Sequence, residues 1–211
     1  MDKKKRQSKK ELILKAAEEV FMANGYEATK TTQIAERAGV THAMLHYYFH
    51  TKENIFRKIY EDKINMLKDP IVALVENKEM ELPQRIDTII ETHFEFLKAN
   101  PTLPYFVISE MKNNPHLIET MKENIGELMG ESYKKLQNEV DDYVAQGIIN
   151  PITALDLLLD IVSLNVSAFV ILPIMKSVVS DKDEQNAMLE QRKKEIKETI
   201  NRRIIKTENK A

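Results

Sequence analysis

The sequence predicts an all-α protein: an N-terminal three-helix helix-turn-helix head, then a C-terminal antiparallel helical domain that dimerises through a four-helix bundle. Three observations predict it. The 211 residues hold only 5 Gly and 7 Pro, with no extended alternation of β-branched residues. Apolar residues recur at helical spacing along nearly the whole chain. One stretch, Thr31 to Lys52, has the spacing of two short helices joined by a tight turn.

The first helix is expected from about Ser8 to Asn24. Leu12, Ile13, Ala16, Ala17, Val20 and Phe21 form one broad apolar face, and Gly25 ends it. In the second helix Ile34, Ala35 and Ala38 make the stripe. Gly39 follows as a C-terminal cap, because a left-handed backbone costs glycine little. Val40 packs under the turn, and Thr41 is a natural N-cap for a third helix. Met44, Leu45 and Tyr48 are expected as that helix's apolar stripe. A fourth helix runs from about Lys52 to Leu67. The acidic segment from Asp69-Pro70 to Pro83 reads as a surface connection. A boundary near residues 50–55 gives a head over 1–52 and a second domain over 53–211.

Beyond Gln84, Asn-Pro pairs at 100–101, 114–115 and 150–151 punctuate helices expected at about 84–99, 103–112, 115–146, 151–178 and 182–205. Gly126 and Gly130 would lie inside the third of these. The segment Ile152 to Val179 is apolar nearly all round and long enough to span a bilayer. Asp160, Asn165, Pro173 and Lys176 within it argue against a membrane. A helix without a polar face needs cover on both sides. With the striped helix after it (Met188, Leu189, Ile196, Ile200 and Ile204), it suits half of a two-fold interface, hence a homodimer.

Charge is unevenly placed. Residues 1–60 hold 12 Lys/Arg against 7 Asp/Glu, and residues 61–211 hold 19 against 26. A basic head on an acidic body is expected when only the head meets phosphates. Lys3 to Arg6, with Lys9 and Lys10, form a basic arm that is either a solvated terminus or a backbone contact. It has no apolar segment behind it and does not resemble a signal peptide. The absence of cysteine fits a reducing cytoplasm, where we place the protein.

The run Ile34-Ala35, Ala38-Gly39-Val40-Thr41, Leu45, Tyr47-Tyr48-Phe49 and Lys52-Glu53 resembles the DNA-binding signature of TetR-type repressors. Two positions depart from that pattern: Ala43, where glycine is common, and His46, where tyrosine is common. The resemblance implies a homodimeric transcriptional regulator, usually a repressor, released from DNA by a small-molecule effector. It also implies that Thr31 and Thr32 touch phosphate or a base edge.

From the residues themselves, Thr41, His42 and His46 can exchange hydrogen bonds with base edges of double-stranded DNA. Ala43 and Met44 can touch a thymine methyl. Tyr47, Tyr48 and Lys52 suit phosphate oxygens. His42, His46 and His50 also stand at metal-ligand spacing, so a metal-binding protein is one alternative. An effector-independent architectural protein is another. For an effector pocket the candidates are His93, Phe96, Tyr105, Phe106, Met129, Tyr133, Asn165 and Phe169, large or polar groups in an otherwise ordinary helical core. Asn165, alone in its apolar helix, should contact either a ligand or the dimer axis. No phosphate loop, nucleophile elbow, zinc-protease motif or Cys-His pair is present. We therefore expect no enzyme activity and no cofactor.

Overall fold

The computed structural model describes residues 8–104, 107, 108, 119, 122, 123 and 130–206. Among these are eight helices: α1 (Lys9–Ala28), α2 (Thr31–Ala38), α3 (His42–Phe49), α4 (Lys52–Glu76), α5 (Leu82–Ala99), α6 (Glu131–Ala145), α7 (Ala154–Val178) and α8 (Lys182–Ile204). The chain divides into two compact units, one over residues 1–65 with 106–122, the other over 66–105 with 123–211.

In the first unit, Ser8 and Glu11 close a reciprocal capping box at the start of α1. Gly25 breaks the helix at φ 76°, as expected of it, and a last short turn carries the chain to Thr29. Ile13, Ala17 and Phe21 bury their side chains against Ile34 and Ala35 of α2 and against Leu45 and Phe49 of α3. The buried stripe of α3 is thus Leu45 and Phe49. Met44 is only half-buried and Tyr48 is exposed, so they are not the core pair the sequence suggested. Eight residues make barely two turns, and positions i and i+4 are enough to seat them.

The first turns of α4 complete this core. Ile55, Phe56 and Tyr60 are buried in it, and Phe21, Tyr26 and Phe56 form a ring cluster with centroids 4.9–5.7 Å apart. The compact unit that holds this core includes residues 1–65. Burial of Tyr60 pushes its phenol up to about 12.

Helix α4 does not end near Leu67. It continues through Pro70 to Glu76, so the expected surface connection shrinks to residues 77–81. Proline forfeits one backbone hydrogen bond. Ile71 and Val75, spaced i and i+4, are buried in the second unit's core and outweigh that loss.

In the second unit α7 packs against α5, α6 and α8. Its core joins Ile86, Ile90, Phe94, Leu157, Ile161, Phe169, Ile196 and Ile200. Helices α5 and α8 run antiparallel along a ladder of polar rungs. Lys98 meets Glu190, Lys193 meets Glu95, and Lys197 meets Glu91, each at 2.6 Å; Asn201 meets Asp87 at 2.9 Å. Such exposed pairs align the helices and add little energy each. The expected helix over 115–146 is interrupted, since Gly130 is the N-cap of α6 and not a helix interior. Of the expected helix over 103–112 only residues 103, 104, 107 and 108 are described, and the Asn114-Pro115 pair and Gly126 lie outside the described residues. Helix α7 begins at Ala154, capped by the Thr153 hydroxyl, which accepts from Asp156 N–H at 3.0 Å. Pro151 does not start it, because the Asn150 amide donates to the carbonyls of Arg203 and Ile205 and ties that corner to the end of α8.

Candidate nucleic-acid interface

Local chemistry sets the turn between α2 and α3. Gly39 takes φ 62° and ψ 38°, and the Val40 amide donates back to Ala35 at 3.0 Å. The Thr41 hydroxyl then accepts from the Met44 amide at 3.2 Å, satisfying one of the free donors at the start of α3. With Leu45 and Phe49 buried, the opposite side of α3 must face outward. Thr41, His42, Ala43, His46, Tyr47 and Tyr48 are all exposed, Tyr47 at 76%. Thr32 is exposed as well, while Thr31 and Met44 are half-buried.

A chain of contacts orders this surface. Thr31, the first residue of α2, lies 2.9 Å from His42 Nε2, the first residue of α3. The His42 and His46 rings meet edge to face, centroids 4.4 Å apart. His46 Nδ1 lies 2.7 Å from the His50 carbonyl. The Tyr47 and Tyr48 rings form a second edge-to-face pair at 5.3 Å. His50 sits past the end of the helix, as expected. Among the described residues no three His, Asp or Glu side chains converge as a metal would require.

Lys52 is placed differently from its expected role. Its ammonium donates to the carbonyls of Tyr26 at 2.8 Å, Thr29 at 3.1 Å and Glu27 at 3.4 Å, and lies 4.3 Å over the Tyr26 ring. All three of its donors are engaged at the end of α1, so in this structure Lys52 clamps the head from within. Nothing local in the sequence signals this, because the carbonyls lie 23–26 residues upstream. Lys10, from the expected basic arm, has its ammonium 5.9 Å over the Phe49 ring, beside the end of α3. Lys3 to Arg6 lie outside the described residues.

Residues 13–59 match the family model of bacterial regulatory proteins of the tetR family. This is a tetR-family head. The chain is 24% identical over 136 residues to the fatty acid metabolism regulator protein of Bacillus subtilis, covering 64% of this chain and 66% of that protein, just under two thirds of its length. It is 29% identical over 152 residues to the uncharacterised HTH-type regulator YdgC of the same organism, covering 67% and 77%. It is 44% identical to QacR of Staphylococcus aureus over 50 residues, which covers 24% of this chain and 27% of QacR. Among solved structures, a linker mutant of HlyIIR aligns at TM-score 0.64 and 21% identity over 95% of this chain and 97% of that one. The fatty acid degradation regulator FadR of Bacillus halodurans aligns at 0.62 and 20% over 92% and 97%. These structural likenesses show the fold alone: an all-helical chain in which a helix-turn-helix head is followed by a helical body.

Within that body, three of the expected pocket residues are buried together. Asn165 Nδ2 donates to the Ile90 carbonyl at 3.1 Å and to His93 Nδ1 at 3.0 Å. Phe169 lies against Phe94, centroids 5.0 Å apart. Asn165 thus links α7 to α5 of the same chain. Desolvation lowers His93 to about 4, so the ring is neutral at physiological pH and its Nδ1 is free to accept. Asn165 Oδ1 has no partner. Phe96 and Tyr133 pack half-buried on the edge of the core. Tyr105, Phe106 and Met129 lie outside the described residues. A cavity of about 410 Å³ opens between α7 and α8, lined by Ala168, Ile171, Met175, Met188, Leu189 and Arg192. None of the expected pocket residues that are described lines it. Phe169 alone of them lines a second, of about 300 Å³, beside Lys98, Lys176 and Lys182.

Proposed function

We propose that the chain is a ligand-responsive repressor that binds a near-palindromic operator as a homodimer, with α3 in the major groove of each half-site. The observation that carries this reading is the division of α3 into a buried pair, Leu45 and Phe49, and an outward face of His42, Ala43, His46, Tyr47 and Tyr48. A short helix held this way presents side chains of the right chemistry for base edges and phosphates. Thr31, Thr32, Thr41 and Met44 complete the proposed DNA-contacting set, and Lys52 supports it from within.

One such helix supplies too little discrimination, since a good base contact adds roughly 1–3 kcal/mol. Two heads read two half-sites. Support for pairing comes from α7. It is long and apolar enough to cross a membrane, yet one side of it packs on α5, α6 and α8. Leu155, Leu159 and Val162 stay exposed at i, i+4 and i+7, as do Ile171, Ile174 and Val178 near its end. Apolar area of this extent in a water-soluble regulator calls for cover, and a second copy supplies it. Asp160, ion-paired to Arg203 of α8, and the buried Asn165 suit a bundle helix better than a lipid-facing one.

The effector class we infer is small and apolar or amphipathic. The fatty acid metabolism regulator and the fatty acid degradation regulator FadR bear names that point to such chemistry, and the cavity between α7 and α8 is lined mainly by apolar side chains. The protein acts in the cytoplasm and carries no catalytic site. Titrating fluorescent duplex DNA into the purified chain at low ionic strength tests the central claim. Binding that weakens steeply with salt is expected. A protein that stays monomeric and ignores duplex DNA overturns the reading.

A further inference from the structure

The outward face of α3 contains a hydrogen-bond donor and acceptor pattern that can be worked out atom by atom. A backbone carbonyl only accepts. The contact between His46 Nδ1 and the His50 carbonyl, 2.7 Å, therefore requires the proton on Nδ1. A neutral imidazole carries one N–H. His46 Nε2 is then a bare lone pair on an exposed ring.

The surroundings hold the ring and its Nδ1 proton in place. His50 adopts φ 60° and ψ −50°, rare for a residue with a Cβ, and this turn of the backbone brings its carbonyl to His46. In return the His50 amide donates to the His46 carbonyl at 2.9 Å. The His42 ring closes the other side edge-on, and His42 is itself bonded to Thr31. A ring fixed on two sides loses little freedom on binding, which favours recognition.

The geometry points to His46 as a specificity residue that accepts, through Nε2, a hydrogen bond from an exocyclic amine in the major groove, either adenine N6 or cytosine N4. These are the only major-groove donors on the bases. A phosphate oxygen, guanine N7 and O6, and thymine O4 are all acceptors, and a bare nitrogen repels them. A tyrosine in this place could donate to phosphate; a histidine in the neutral Nδ1–H form cannot. This inference rests on the DNA-binding reading above and adds to it the identity of the base group read.

Two measurements test it. The first uses the full chain without DNA, at pH 8. Nitrogen-15 spectra of the imidazoles, assigned with His46→Gln, are expected to show His46 protonated on Nδ1 and bare on Nε2. The opposite tautomer overturns the assignment. The second selects an operator from random duplexes, then removes one exocyclic amine at a time, with purine for adenine or pyrimidin-2-one for cytosine. At one position per half-site, amine loss should weaken the wild type about tenfold and leave His46→Ala unaffected. Losses that add to His46→Ala at every position overturn the assignment. So does a His46→Ala defect that is equal on all duplexes and lowers the salt slope by about one phosphate. Those results leave the DNA-binding reading standing, whereas absence of binding to any duplex at low salt removes both.

Discussion

The head and the body each place a histidine in a hydrogen-bonded chain between helices, and the two behave oppositely. His46 lies on the exposed face of α3, its Nδ1 toward a carbonyl and its Nε2 toward solvent. His93 is 7% exposed inside the body, its Nδ1 accepting from Asn165 and its titration pushed down to about 4 by burial. The same ring is thus a presenting group in one region and a packing group in the other. What differs is desolvation. Where water is excluded, polar side chains are committed to one another and breaking them destabilises the fold. Where water remains, removing them leaves the fold intact and changes what it can bind.

The largest effect should come from the body's most buried charge. Arg85 is 1% exposed and donates to the Val75 carbonyl at 2.8 Å and to Glu139. Arg85→Ala removes the buried cation from a half-buried carboxylate and frees that carbonyl, a loss of about 3 kcal/mol. Thermal unfolding of the variant should show a clearly lowered midpoint. A change within error would mean that Lys78, which also meets Glu139 at 2.5 Å, suffices alone.

Acid gives the next effect, with a definite sign. The unfolded chain protonates His93 near its ordinary value of 6.5, while the folded body resists until about 4. Between those values the unfolded state binds more protons, so stability is fully present above 6.5 and declines as pH falls toward 4. The span corresponds to at most about 3 kcal/mol. Urea midpoints measured from pH 7.5 to 4 should fall for the wild type and fall less steeply for His93→Gln. Parallel slopes would show that other groups carry the acid sensitivity.

How much of this was legible in the sequence also divides along the line between exposed and buried. The helix-turn-helix was plain, because Gly39 and Thr41 act on their immediate neighbours and local rules suffice. The clamp made by Lys52 was hidden for the opposite reason: its partners are backbone carbonyls of residues far upstream, and no side-chain pattern records them. Pro70 suggested a break where α4 continues, since local propensity yielded to burial of Ile71 and Val75. Asn165 was recognisable as a buried polar group, but its partner depended on which face of α7 met α5.

Lys52 sharpens the comparison at smaller cost. Lys52→Met should lower head stability by about 1–2 kcal/mol, as three carbonyls lose a charged donor. Its salt dependence of DNA binding should match the wild type. A phosphate ligand would instead reduce the slope by about one contact, so a shallower slope would restore the role first expected of it.

Tyr47 is the limiting case, and it separates the two regions most sharply. It is 76% exposed, and its only ring neighbour described is Tyr48. Tyr47→Ala should change the unfolding free energy by less than about 0.5 kcal/mol, the usual range for a surface substitution. If its hydroxyl meets a phosphate, binding should weaken about equally on specific and random duplexes, because phosphate contacts carry little sequence information. A loss confined to the selected operator would move Tyr47 from the phosphate rim to the reading face, beside His46. A loss of stability without loss of binding would place it in the fold, and the outward face of α3 would then be left with His42, Ala43, His46 and Tyr48.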